Sequence, residues 1–308
     1  MAGIDLSGVH ITSDAIRGEM IRFVLFWHLC CDRSERAGRH LFRFLRGQDE
    51  KLPFDVVAGT GFPGRELYAI LTGEMGHEPC AFNLMPPNVV AQFAEVDSNK
   101  PWCLQQARFE KKHVDELGER LGSTRDLYKT WWFSGGKLLL WLQRVYLSEE
   151  FSAYDPSSAR DDEKPYDLDH IQPKASWNFD WRNRHARIKD QSLHASFGDG
   201  RSDLGESIGN LRWIGSSENK GDGADEVKVK LKLHRFVGET AVADPDLWMS
   251  SAFDIRPEAI ETWIKASGKE DWTMERMQGF QYAAEKRTLW LYEQFWDTAG
   301  FAAWFGGM

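Results

Sequence analysis

The sequence predicts an α+β protein, a mainly helical shell around a small strand–strand–helix unit. Three observations lead there. Apolar residues recur at helical spacing towards both ends of the chain, and the composition turns polar at 152–164. Beyond that break, two short strand-forming runs carry polar residues at their ends.

Composition sets the outer bounds. A chain of 308 residues with 42% hydrophobic and 28% charged residues has enough apolar surface for a core without covalent staples. Fourteen tryptophans and nineteen phenylalanines read as bulky helix-packing residues before they read as base-stacking platforms. Cys30, Cys31, Cys80 and Cys103 contain no C-x-x-C pair, which argues against structural zinc and for free thiols in a reducing cytoplasm. Residues 1–13 lack the basic start and apolar stretch of a signal peptide, and no apolar run is long enough for a bilayer. The expectation is a cytoplasmic protein without a membrane partner. A net charge of −9 works against general phosphate affinity, so any nucleic-acid surface must be local.

In chain order, Ile16, Met20, Phe23, Val24, Trp27 and Cys31 share helical spacing after Ser13 or Asp14 as a cap. Residues 14–47 therefore read as helix, with Leu41, Phe42 and Leu45 continuing in a second one. Loop is expected at 48–65, a short helix at Glu66–Thr72, and mostly irregular chain at 75–107 with one helix at Asn88–Glu95. A charged surface helix follows at 109–121. Leu138–Phe151 reads as one strongly apolar helix buried on most sides. The expected organisation is a helical domain at 1–151, a linker at 152–163, the central unit at 164–236, and carboxy-terminal helices at 237–308 packing on it. Those last helices are Pro257–Ala266 and Thr273–Asp297, the latter with Met277, Phe280, Ala284, Trp290 and Phe295 roughly on one side.

The central unit carries the chemistry. In PYDLDHIQP (165–173), Tyr166, Leu168 and Ile171 favour a strand that Pro173 ends. Alternation puts Asp167 and Asp169 on one face and His170 at the strand's end. Leu211–Ile214 reads as the second strand, after Gly209-Asn210. The polar Glu218-Asn219-Lys220 then leads to VKVKLKLHRF as the helix. Phosphodiester hydrolysis needs an activated water and a cation at the phosphate. A histidine can take the water's proton, and oxygen ligands can hold a hard divalent cation. Asp169, His170 and Asn219 are such groups.

Together, D-L-D-H-I-Q-P, I-G-N-L-R-W-I and S-E-N-K resemble the HNH motif in the carboxy-terminal half of GmrSD-type restriction endonucleases, and are similar to the HNH domain of RNA-guided CRISPR nucleases. LLLWLQRVYL and FQYAAEKRTLWLYEQFW also resemble the helices that flank that unit. The resemblance implies a ββα-metal (His-Me finger) nuclease unit. In it Asp169 and Asn219 bind the metal, Asn219 at the first helix position. His170 is the general base and Asn210 orients the loop. It also implies a phosphate-contacting lysine, Lys228 or else Lys230. Mg²⁺ or Mn²⁺ would be the cofactor and DNA the partner, in an antiphage or restriction role. The family's zinc-braced subtype is excluded by the cysteine spacing. Its nucleotide-hydrolysing domain, with an Asp-Gly-Gln-Gln-Arg motif, has no counterpart here, so a sensor domain or subunit elsewhere is expected as a partner. Residues 174–209 form an insertion between the motif halves. Its Arg182, Arg184, Arg187 and Lys189, with Lys174 and Lys220, are the expected DNA-binding cations. A nucleic-acid-binding module with a vestigial site, and an RNA-directed nuclease, are the competing readings.

Three other signals read as scaffold. GTGFPG (59–64) matches G-x-G-x-x-G, but Pro63 removes an amide donor and the segment after it is a poor strand, which leaves a glycine-rich turn. SGGK (134–137) reads as a helix start. His185 and His194 lie in the basic face of the insertion with no regularly spaced partner for a metal.

Overall fold

A computed structural model describes residues 14–31, 34–46, 61–76, 80–81, 84, 86–88, 135–155, 164–173, 208–222 and 274–305. The fold is mostly helical with one small antiparallel sheet, a coarse α+β class. The chain divides into two compact units: Met1–Val89, Ala107–Thr130 and Trp296–Met308 form one, and Val90–Gln106 with Trp131–Phe295 the other. The helices of 135–150, read from sequence with the amino-terminal part, belong to the unit that holds the strands. The expected helices at 109–121 and Pro257–Ala266, most of Asn88–Glu95 and most of the 152–163 linker lie outside the described residues.

In the first unit, α1 (Asp14–Cys30) and α2 (Ser34–Arg46) are the two helices read within 14–47. The break falls at Cys31, whose backbone bridges to Ala81. Helix α3 (Gly64–Thr72) starts two residues before the expected Glu66. It ends on Gly73, whose φ of 84° is the left-handed conformation that glycine adopts without steric cost. Phe26 is fully buried, with ring centroids 4.9 Å from Tyr68 and 6.0 Å from Trp304, so α1, α3 and the 3₁₀ turn Phe301–Trp304 share an aromatic core. The GTGFPG run resolves, over its described residues, into a turn and a helix start. A side chain at Gly64 would come within 2.6 Å of Glu19 Oε1, the oxygen that accepts the Trp304 indole N–H. Cys30, Cys31 and Cys80 are free. Burial pushes the Cys30 and Cys31 thiols well above their usual range, and at Cys31 the neighbouring Cys30 and Cys80 add to it, so both stay protonated at neutral pH. Cys103 lies outside the described residues. No described helix is long and apolar enough to cross a membrane.

The second unit is built on two strands. β1 (Tyr166–His170) pairs antiparallel with β2 (Leu211–Gly215), setting Leu168 opposite Trp213 and Asp169 opposite Arg212. Asp169, Asp167, Arg212 and Ile214 thus share one face, and Tyr166, Leu168, His170 and Trp213 the other. The second face is aromatic: Tyr166 lies edge-on to Trp213 at 5.5 Å and contacts Phe151 and Tyr154 at 5.7 and 5.8 Å.

The stretch read as one apolar helix is two, α4 (Gly135–Leu142) and α5 (Arg144–Glu150), with a turn at Gln143. It is also buried on one side only: Leu138, Leu139, Gln143 and Leu147 are inside while Val145 is exposed. The reason is β2. Trp213 turns its backbone groups away from β1, and the buried Gln143 amide takes both, accepting from Trp213 N (2.8 Å) and donating to Trp213 O (3.1 Å). A side-chain amide thus stands where a third strand would be. The Trp213 indole donates to Gly136 O at 2.8 Å, which fixes the start of α4 that SGGK predicts.

The helix directly after β2 is α6 (Ser216–Asp222), earlier than the sequence places it; it follows β2 without a loop because Ser216 N continues the ladder to Pro165 O at 2.8 Å, and VKVKLKLHRF lies outside the described residues. The last helix, α7 (Met274–Ala299), buries Arg287, Thr288, Leu291, Tyr292, Phe295, Trp296 and Ala299, while Trp290 is only half-buried. Of the stripe read in sequence, Phe295 is buried and Trp290 lies at its margin, and the charged Arg287 is on the buried side.

Gln143→Leu should lower the stability of the folded chain by about 2–3 kcal/mol, the order expected when buried backbone groups lose their hydrogen-bond partners. Urea unfolding of the variant against the parent measures it, and an unchanged midpoint would remove Gln143 as the partner of the β2 edge.

Candidate active site

The residues of interest gather where β1 ends and β2 begins. At His170 the first strand leaves the ladder, and Pro173 has no N–H to continue it. The backbone at Ile171 and Gln172 still needs partners, because both residues are buried. Asn210 supplies them. It closes the 3₁₀ turn Ile208–Asn210 that enters β2. Its carbonyl accepts from Ile171 N (2.8 Å), its Oδ1 accepts from Gln172 N (2.7 Å), and its Nδ2 donates to Gln172 O (3.1 Å). Asn210 is fully buried, so its amide cannot exchange these bonds for water. The backbone two residues past His170 is thereby fixed to the start of β2.

Beside it, Asp169 is 3% exposed and Arg212, directly opposite on β2, is 0% exposed. Arg212 Nε donates to Asp169 Oδ2 at 2.8 Å. A charge-assisted bond across the strand pair keeps both ions tolerable in a low-dielectric setting. His170 is half-buried, one residue on and by alternation on the other face. Arg287, fully buried on α7, donates through Nη1 to Ile208 O (2.6 Å) and Leu211 O (2.9 Å), the carbonyls on either side of the Asn210 turn.

Asp169, His170 and Asn210 thus share one end of the sheet. Asn219 enters from the other end, on α6, which starts beside Pro165 and packs against both strands. It is half-buried and is the fourth residue of α6, not the first helical position that the resemblance implied. Lys220 follows it and is exposed. Lys174, Arg182, Arg184, His185, Arg187, Lys189, His194, Lys228 and Lys230 lie outside the described residues.

Among the described residues, no three His, Cys, Asp or Glu side chains gather as a metal-binding cluster. The donors under test are of another kind, a carboxylate and a primary amide. Both offer hard oxygens suited to Mg²⁺, an ion commonly held by one or two protein carboxylates with water and phosphate completing its shell. The Arg212 bond to Oδ2 uses one of the several lone-pair positions of the Asp169 carboxylate, so the guanidinium would compete with a cation there.

Sequence reasoning missed Gln143, Arg212 and Arg287. The register is the one signal that leads to Arg212: once Asp169 is on a buried face, the residue across from it must answer its charge. Comparison with protein-family models, with curated proteins and with solved structures finds no match to this chain.

Removing one partner of a buried ion pair typically costs about 3–5 kcal/mol, whereas replacing both by apolar residues is often close to neutral. Arg212→Met alone should therefore destabilise the protein strongly, and Asp169→Leu with Arg212→Met should recover most of the loss. Chemical denaturation of the two variants tests this, and equal stability of single and double variants would contradict the pairing.

Proposed function

We propose that this protein is a metal-dependent endonuclease of the HNH type acting on DNA, with the end of β1 as its active centre. The observation that carries the reading is the Asn210 clasp on Gln172. It holds the loop after an Asp-His pair at a strand's end, in a chain order of strand, strand and helix. A loop tied down in this way is what an imidazole needs to meet a water and a phosphate at fixed geometry.

In this reading His170 accepts the proton of the attacking water. Asn210 keeps the His170 loop in one conformation, and Arg212 keeps the Asp169 carboxylate oriented. Asp169 and Asn219 would hold Mg²⁺ or Mn²⁺, whose chemistry when bound is to offset charge on the phosphate and the departing oxygen. Lys220, exposed beside Asn219, tracks the phosphate backbone together with Lys174, Arg182, Arg184, Arg187 and Lys189, and Lys228 or Lys230 contacts the scissile phosphate. Products would carry 5′-phosphate and 3′-hydroxyl ends. The biological setting is cleavage of phage or modified foreign DNA under a nucleotide-hydrolysing partner.

Supercoiled plasmid incubated with the protein and Mg²⁺ or Mn²⁺ is expected to be nicked or linearised. His170→Ala, with its fold intact by circular dichroism, should be slower by about 10²–10⁴-fold, the usual contribution of a general base. Asp169→Ala and Asn219→Ala should raise the metal concentration required. Cleavage at the parental rate by His170→Ala would sink the assignment, and a parallel reaction on labelled RNA decides between the two nucleic acids.

A further inference from the structure

We infer that Arg287, on a helix far along the chain from the Asp-His pair, is a positioning residue that sets the loop behind His170. The inference deepens the nuclease reading and takes its catalytic meaning from it. Three links make the chain of contacts. Arg287 Nη1 donates to Ile208 O at 2.6 Å and to Leu211 O at 2.9 Å, so one nitrogen straddles the turn that presents Asn210. Asn210 then holds Ile171 and Gln172 by three hydrogen bonds of 2.7 to 3.1 Å. Ile171 is bonded covalently to His170. Every residue between the guanidinium and the histidine is buried: Arg287 and Asn210 at 0%, Ile208 at 1%, Ile171 at 0% and Gln172 at 3% exposure. Water cannot substitute for any of these bonds, so a change at Arg287 must be taken up by the turn or by the loop.

Ile208 O and Leu211 O flank Gly209 and Asn210, and a permanently charged guanidinium nitrogen with two N–H donors can serve both. A lysine keeps charge and donors on a shorter, more compact head, and methionine keeps much of the volume and loses the donors. Arg287 donates to two carbonyls of the segment carrying Asn210, which is why its effect on the site is indirect: it positions and does not touch the reacting atoms.

The test uses the full chain and two readouts. The amides of Ile171 and Gln172 both donate to Asn210, whereas the Trp213 amide donates to Gln143 and serves as an internal control. In Arg287→Met, native-state hydrogen exchange should show protection at Ile171 and Gln172 reduced by about ten-fold or more, the factor that a lost buried hydrogen bond corresponds to, with Trp213 retained. The kcat for plasmid nicking should fall by about 10²-fold, as expected for a misplaced catalytic group, while KM stays at the parental value. Arg287→Lys gives the same pattern in milder form and replaces the methionine variant if that one does not fold. A folded variant with parental protection at Ile171 and Gln172 overturns the inference, and so does lost protection with unchanged kcat. A parent protein that cleaves neither DNA nor RNA with either metal removes the nuclease reading, while the exchange data still decide whether Arg287 sets the loop.

Discussion

The two-way bond between the Asn210 amide and the backbone of Gln172 is the constraint on which this end of the second unit depends. β1 stops at His170, and after one more rung, Ile171 N to Asn210 O, the buried chain at Gln172 has no strand partner. Only a group that donates and accepts at once, at asparagine's length, closes that gap. An aspartate has no donor, a serine has too short a reach, and a glutamine carries one methylene more into a fully enclosed space. The clasp also works in the opposite direction, since it fixes the Ile208–Asn210 turn and so the point at which β2 enters the sheet. Strand register and loop geometry are therefore set by one side chain.

Charge is handled at the same place by different means. Asp169 faces Arg212 across the strands, a paired ion held in a dry setting. Arg287 faces carbonyl dipoles at the Asn210 turn. Both arginines are inside the protein, so neither adds to the basic surface that a nucleic-acid ligand would meet. In a chain of net charge −9, this sharpens the electrostatic requirement on the proposed function, which assigns phosphate contact to Lys220, to Lys228 or Lys230 and to the cations of 174–189.

The strands were legible in the sequence because their signals are local. Alternation at 166–170 and the apolar run at 211–214 leave little choice, and Pro173 marks the end of the first. Helix α6 was not, since its seven polar residues carry no apolar stripe. Its place is fixed instead by Ser216 N reaching Pro165 O across the chain. Gln143 and Arg287 were missed for one shared reason. A polar residue in a helix is read as its solvent-facing side, and here each reaches the sheet or the turn that enters it. Pattern reading finds faces; it does not find the one polar atom that a neighbouring backbone lacks.

That difference bears on how the site is held. A sheet of two five-residue strands is marginal by itself in water. It has one edge on β2 that needs partners and one turn that needs an anchor, and helices outside the 164–236 segment supply groups to both. Gln143 closes the edge from the junction of α4 and α5, and Gly136 O takes the Trp213 indole. Arg287 anchors the turn from α7. The Asp-His pair therefore rests on helices that lie before and after it in sequence, and the geometry at His170 is a property of the whole second unit. A motif segment excised at its sequence boundaries would keep every candidate catalytic residue and lose the Gln143, Gly136 and Arg287 bonds that brace the sheet and the Asn210 turn.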